Sequence, residues 1–204
     1  MKKITNFPMA ILLCASILTA NVKAQSLTAD AETKKAPSTT KTSSVVKESF
    51  MDRYYDLKAS YPSLTHLCGS YAASSCSKQK FIEKYNAIKA AYPKLKDAHC
   101  QYAGSEYSLE DFTKRYYEMK DTYPAMTKYW GDYAASKKTL PEFIKRYNEV
   151  KDSAHDLAEY YGQYAGSDNT LSEFSSRYYA IKASDTGMKN CYGEYAASTK
   201  KLSK

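Results

Sequence analysis

The chain has 204 residues and a formal net charge of +8, from 30 Lys and Arg against 22 Asp and Glu. Three of those lysines (Lys2, Lys3, Lys23) lie in a leader-like start and a surplus of two lies in residues 25–47, so the remainder carries only +3. That weak basicity argues against nucleic-acid binding, which calls for a strong basic stripe, and no apolar run reaches the roughly 20 residues of a membrane span.

In chain order, Lys2 and Lys3 form a positive n-region, Met9 to Ala20 an apolar h-region, and Val22-Lys23-Ala24 a small-residue cleavage site. Together they predict a signal peptide over residues 1–24 and a secreted or periplasmic destination. Cys14 follows the bulky Leu13, which speaks against lipidation. Residues 25–47 are rich in Ala, Lys, Ser and Thr and hold no aromatic side chain. Such a stretch cannot bury enough surface to offset its ordering entropy, so it reads as a flexible linker.

From residue 48 onward the sequence repeats every 31 residues. Phe stands at 50, 81, 112, 143 and 174, Tyr at 54, 85, 116, 147 and 178, and a Tyr-Ala-(Ala/Gly)-Ser block begins at Tyr71, Tyr102, Tyr133, Tyr164 and Tyr195. A fixed period of this length marks a repeat architecture. The repeat domain spans 48–204, with units at about 48–78, 79–109, 110–140, 141–171 and 172–204.

Each unit predicts two helices. In the third copy the first runs from Leu109 to Thr122, with Phe112, Tyr116, Met119 and Tyr123 on one face of a 3.6-residue helix. Ser108 with Asp111, Thr139 with Glu142 and Thr170 with Glu173 mark the starts as capping boxes. Tyr-Pro at 61–62, 92–93 and 123–124 ends the first helix and opens the second. The second uses Met126, Tyr129, Trp130 and Tyr133, while Gly69, Gly131, Gly162 and Gly193 admit a close neighbour. A lone hairpin of this size cannot bury its apolar face, so stacking on neighbours completes the core.

The fold class is therefore all-α: a short α-solenoid of five helical hairpins, about ten helices, whose last hairpin acts as a C-terminal cap. A second period of 62 residues overlies the first. Odd units read Tyr-Tyr (54–55, 116–117, 178–179) and even units Tyr-Asn (85–86, 147–148), and Gln101 and Gln163 fall only in even units. Either a two-hairpin ancestor was duplicated, or alternate units present different side chains to a ligand. The architecture resembles the broad class of helical-hairpin repeats that includes tetratricopeptide proteins. Its period of 31 and the absence of their Trp, Leu-Gly and Pro offsets set it apart.

Catalytic signatures are missing from the pattern. His66, His99 and His155 occupy three different repeat phases, and no phosphate loop, nucleophile elbow or metal-spaced pair occurs. The expectation is a protein that is not an enzyme, with no cofactor and no metal. Cys68, Cys76, Cys100 and Cys191 follow the leader, and an even count in an exported chain favours disulfides. Cys68 and Cys100, on neighbouring second helices, are the candidate pair.

Two surface columns are candidates for binding. Tyr55, Tyr117 and Tyr179 lie about 140° around the helix from the Phe column. They either pack on the adjacent unit or form an exposed aromatic row suited to protein hot spots or sugar stacking. Lys58, Lys89, Lys120, Lys151 and Lys182 either snorkel over tyrosine or meet an anionic partner. Arg53, Lys84, Arg115, Arg146 and Arg177 follow an acid by four residues in three units, which predicts local salt bridges. The sequence thus points to a scaffold binding a protein or peptide on a concave repeat surface. A glycan- or cell-wall-binding module using the tyrosine row, or a secreted host-directed factor, is the alternative.

Overall fold

A computed structural model describes residues 48–202. The expected signal peptide (1–24) and linker (25–47) lie outside the described residues. Among these residues the fold is all-helical, with ten α-helices in five hairpins. Five long helices carry the Phe column: α1 (Phe50–Ser60), α3 (Lys78–Ala91), α5 (Leu109–Thr122), α7 (Leu140–Ser153) and α9 (Leu171–Ser184). Five short helices alternate with them: α2 (Cys68–Ala73), α4 (His99–Gly104), α6 (Trp130–Ala135), α8 (Tyr161–Gly166) and α10 (Tyr192–Ala197).

The long helices begin where the hydroxyls predict. Ser49, Ser77, Ser108, Thr139 and Thr170 each accept a hydrogen bond from the amide three residues on, and Ser49, Thr139 and Thr170 complete the reciprocal box with Asp52, Glu142 and Glu173. These bonds satisfy amides that a helix start otherwise leaves open.

The second helix of each unit is shorter than its apolar pattern suggests. Its first part is a 3-10 turn, and the α-helix proper is only six residues. At Leu64, Leu95, Leu157 and Met188 the backbone leaves helical geometry, with φ between −112° and −92°. The kink lets Leu95, Leu157 and Met188 enter the core, where each is buried.

Successive short helices pack side by side, α2 on α4, α4 on α6, α6 on α8 and α8 on α10, and α10 packs back on α2 in the same way. The hairpin array therefore closes into a ring of five units, with the short helices inside and the long ones outside. The last hairpin is not a terminal cap: it docks on the first. Three repeated contacts carry this closure. Each inner-helix tyrosine meets the next unit's Phe edge-on, at 5.4 Å for Tyr71–Phe81, 5.2 Å for Tyr102–Phe112 and 5.5 Å for Tyr133–Phe143 and Tyr164–Phe174; Tyr195 meets Phe50 at 5.2 Å. A Cβ added to Gly193 would lie 2.5 Å from the Tyr160 ring of the preceding unit, and one added to Gly69 would lie 2.5 Å from Cys191 Cβ, across the seam. Finally, Phe50 N–H donates to Lys201 O at 2.8 Å and Met51 N–H to Leu202 O at 3.1 Å.

Phe50, Phe81, Phe112, Phe143 and Phe174 are all fully buried between the two layers, as are Leu57, Ile88, Met119, Val150 and Ile181 one turn and more further on. Burial of that apolar surface supplies the main driving force for closure.

Candidate functional site

Beyond one local ion pair, Arg53 with Glu48 at 3.3 Å, the arginine column does something other than local pairing. Arg115 donates to Tyr133 O at 3.1 Å, Ser136 O at 2.9 Å and Lys138 O at 2.7 Å, and its guanidinium lies 4.3 Å from the Tyr133 ring centroid. Arg53, Arg146 and Arg177 repeat this on Tyr71, Tyr164 and Tyr195, and Lys84 reaches Ser105 O at 2.6 Å. The column thus closes the C-terminal ends of the inner helices, adding a charged donor to tyrosine carbonyls already capped by the following serine and holding the loop carbonyls beyond them. Of the acids expected to pair with it, Asp111 accepts from the Ser108 hydroxyl at 2.7 Å, and Glu142 and Glu173 are drawn below the usual carboxylate range by hydrogen bonds from Thr139 and Thr170.

Cys68 and Cys100 do not form a disulfide; Cys68, Cys76, Cys100 and Cys191 are all free thiols. Cys68 and Cys100 are 32 residues apart, one more than the repeat, which turns their side chains about 100° relative to one another. Cys68 packs between the layers with Leu67 and Tyr71, while Cys100 lines the cavity at the ring axis. Burial pushes the Cys100 thiol up to about 11 and the Cys191 thiol up to about 12, so neither is a reactive thiolate near neutral pH.

Tyr55, Tyr117 and Tyr179 are 46%, 40% and 47% exposed, the large apolar side chains most open to solvent among the described residues. Packing against the adjacent unit does not cover them. Tyr55 donates its hydroxyl to Asp185 at 3.1 Å and Tyr179 donates to Asp156, each an acid of the preceding unit around the ring. Ring closure breaks the expected straight row: α1 and α9 are in adjacent units, while α5 is one unit removed from both. Lys58, Lys120 and Lys182 lie within 5.4–5.9 Å of the Tyr55, Tyr117 and Tyr179 centroids, and Lys89 lies 5.9 Å from that of Tyr85. Lys58, Lys89, Lys151 and Lys182 are exposed and Lys120 is half-buried; in all but Lys151 the side chain lies beside an aromatic ring while the ammonium meets water.

The ring axis holds a second group of residues, of which the repeat pattern singled out only Gln101 and Gln163. Ser70, Gln101, Asp132, Gln163 and Glu194 occupy one repeat phase on the five inner helices and line a cavity of about 240 Å³ with Cys100. Most of these side chains lie over the following unit's glycine. Gln101 Cδ is 3.4 Å from a Cβ built on Gly131, Gln163 Cδ 3.2 Å from one on Gly193, and Glu194 Cδ 3.4 Å from one on Gly69. Asp132 fills the space beside Gly162 in the same way. The one unit with a cysteine in the glycine position, at Cys100, follows the shortest axial side chain, Ser70. Ala73, Gly104, Ala135, Gly166 and Ala197 separate this cavity from an outer vestibule of about 370 Å³, whose lining includes Glu106, Lys137 and Asp168.

Burial raises the Asp132 carboxyl to about 7, with repulsion from Glu194 adding to the rise and a hydrogen bond from Gln101 opposing it. Burial likewise raises Glu194 to about 7. The alignment of the five repeats could have revealed this group, because its phase varies in a block that is otherwise nearly constant. Taken one at a time, its carboxylates look like those of a solvated helix face.

The fold and these surfaces define a closed ring of helical hairpins with an outer tyrosine–lysine face and a polar axis. No family model, curated protein or solved structure matches the chain. No helix among the described residues is long and apolar enough to cross a membrane.

Proposed function

We propose that this protein is a non-catalytic binding module, working in a secreted or periplasmic setting, that docks a protein or peptide on the outer face carrying Tyr55 and Tyr179. The observation behind this reading is the exposure of both side chains, at 46% and 47%, on adjacent units of one rigid ring. Each hydroxyl is held by an aspartate and each ring has a lysine beside it. Aromatic side chains fixed before binding lose little conformational entropy on docking, which is why tyrosine serves so often as an interface anchor. The concave groove of an open solenoid is not available in a closed ring, so the outer layer takes its place in this reading.

The test compares the protein with a Tyr55→Ala, Tyr179→Ala variant in affinity capture from the native extracellular or periplasmic fraction. Partners are then identified and titrated back in purified form. The reading requires a defined protein partner whose affinity falls about tenfold or more in the variant, with circular dichroism unchanged. Recovery of polysaccharide alone, or equal capture by both proteins, rejects it.

A further inference from the structure

The inner helices are nearly identical from unit to unit: Tyr, Ala, Ala or Gly, and Ser recur in each. The residue just before that tyrosine is the exception, reading Ser70, Gln101, Asp132, Gln163 and Glu194 around the ring. Ring closure brings these five to the axis, where two features are unbalanced.

The first is charge. Asp132 and Glu194 line the axial cavity, and no Lys or Arg lines it with them. The arginines nearest the inner helices are already committed to the carbonyls at the helix ends. Buried carboxylates are ordinarily paired with a cation or a set of donors. The second is hydrogen bonding. Gln101 lines the same cavity, and its Oε1 is buried with no hydrogen-bond partner. Asp132 accepts a hydrogen bond from Gln101, but no cation among the described residues faces it or Glu194. Buried acceptors in native proteins are nearly always satisfied, so the orphaned Gln101 oxygen beside two carboxyls without a countercharge indicates a missing donor. No group of three or more His, Cys, Asp or Glu among the described residues is placed to hold a metal ion. The lining of amide, carboxyl and hydroxyl oxygens instead matches the donors of an amine cation.

We propose that the axial cavity is a binding site for a small organic cation with N–H donors, an alkylammonium, held between Asp132 and Glu194 and admitted through the vestibule. The ammonium supplies the countercharge for the two carboxyls and donors for the ring of oxygens. Its chain extends past the residues that line both spaces, all of them Ala, Gly or Ser. This site is separate from the outer tyrosine face, and either can exist without the other.

The test is isothermal titration of the purified full chain near pH 8, where both axial carboxyls are largely ionised. The probes are n-butylammonium and, as its neutral counterpart, 1-butanol. The expected result is saturable one-to-one binding of butylammonium and no binding of butanol. Asp132→Asn with Glu194→Gln keeps the cavity shape while removing its charge, and is expected to weaken butylammonium roughly tenfold or more. Asp121→Asn with Asp152→Asn, exposed on α5 and α7 and outside both sites, removes the same charge and is expected to leave the affinity unchanged. Should the axial double variant fail to fold, Glu194→Gln alone is read by the same criterion. Absence of butylammonium binding, equal binding of butanol, or undiminished affinity in the axial variant overturns the proposal.

Discussion

Phe50 donates its backbone N–H to the carbonyl of Lys201, and this is the bond that Phe81 makes to Ser77, Phe112 to Ser108, Phe143 to Thr139 and Phe174 to Thr170. In the other four units the two residues are four apart within one helix start. At the seam they come from opposite ends of the ring. Lys201 and Leu202 thus take the place that the start of a sixth unit would fill, and complete the first turn of α1.

Truncation after Lys200 therefore removes two acceptors, for Phe50 and Met51, and the apolar contact of Leu202 with the core. We expect a loss of about 2–4 kcal/mol, from the hydrogen bonds and the partly buried leucine together. Urea denaturation followed by circular dichroism reads it, and a shift in midpoint below about 0.5 kcal/mol equivalent contradicts the seam.

The arginine clamps make a second prediction. Arg115→Met takes the guanidinium donor from Lys138 O and from Tyr133 O and Ser136 O, which keep the Ser136 and Tyr107 donors respectively, and it removes the cation from the Tyr133 ring. A cost of about 2–4 kcal/mol follows. Arg115→Lys is expected to recover part of it, since Lys84 does the same work in the second unit. Equal stability of Arg115→Met and the parent in chemical denaturation refutes the clamp.

The axial carboxyls set a pH dependence of unusual sign. Both are raised in the folded state, from 3.8 for Asp132 and 4.5 for Glu194 to about 7. The folded protein then binds more protons than the unfolded chain between those limits, so stability from this pair falls as pH rises from about 4 to about 7. The two interact and titrate as a pair. The capping carboxyls Asp52, Glu142 and Glu173 are lowered and act oppositely, losing stability only as the medium turns acidic below their unfolded values. Between about pH 5 and 7.5 the axial pair dominates, and a decline on the order of a few kcal/mol is expected. Thermal melts of the parent should fall across that window, whereas Asp132→Asn with Glu194→Gln should hold steady. Parallel slopes contradict the assignment.

The four free thiols among the described residues carry a prediction that an exported chain would not ordinarily suggest. Reductant should leave the melting temperature unchanged. Under denaturing conditions, thiol titration should count Cys68, Cys76, Cys100 and Cys191 without prior reduction. A reductant-sensitive melt would show a bridge that this fold does not contain.

The period, the hairpin and the helix starts were legible because they are local: α5 begins at Leu109 and ends at Thr122, where the pattern puts it. The glycine positions were legible too, as points of close approach. Closure was not, because it depends on each unit turning the chain by one fifth of a circle, and no residue pattern records that angle. The arginines were misread because their acids four residues away are visible in sequence, while the carbonyls they hold lie 18–23 residues on. The cysteines were misread by a single residue, enough to turn one thiol to the axis and the other between the layers. Of the axial group only Gln101 and Gln163 were legible, as an even-unit feature, because the polarity of the phase is meaningful only once the ring brings five distant positions together.

Closure itself is most directly measured by pulsed electron paramagnetic resonance, using a label chemistry that spares the native thiols. Asp52, Glu83, Lys114 and Ser176 are exposed and occupy the same phase of the first, second, third and fifth units. In a closed ring, labels at 52 and 176 are as far apart as labels at 83 and 114, because both pairs sit on neighbouring units. In an open solenoid the 52–176 distance is instead several times longer, and that result would contradict the ring.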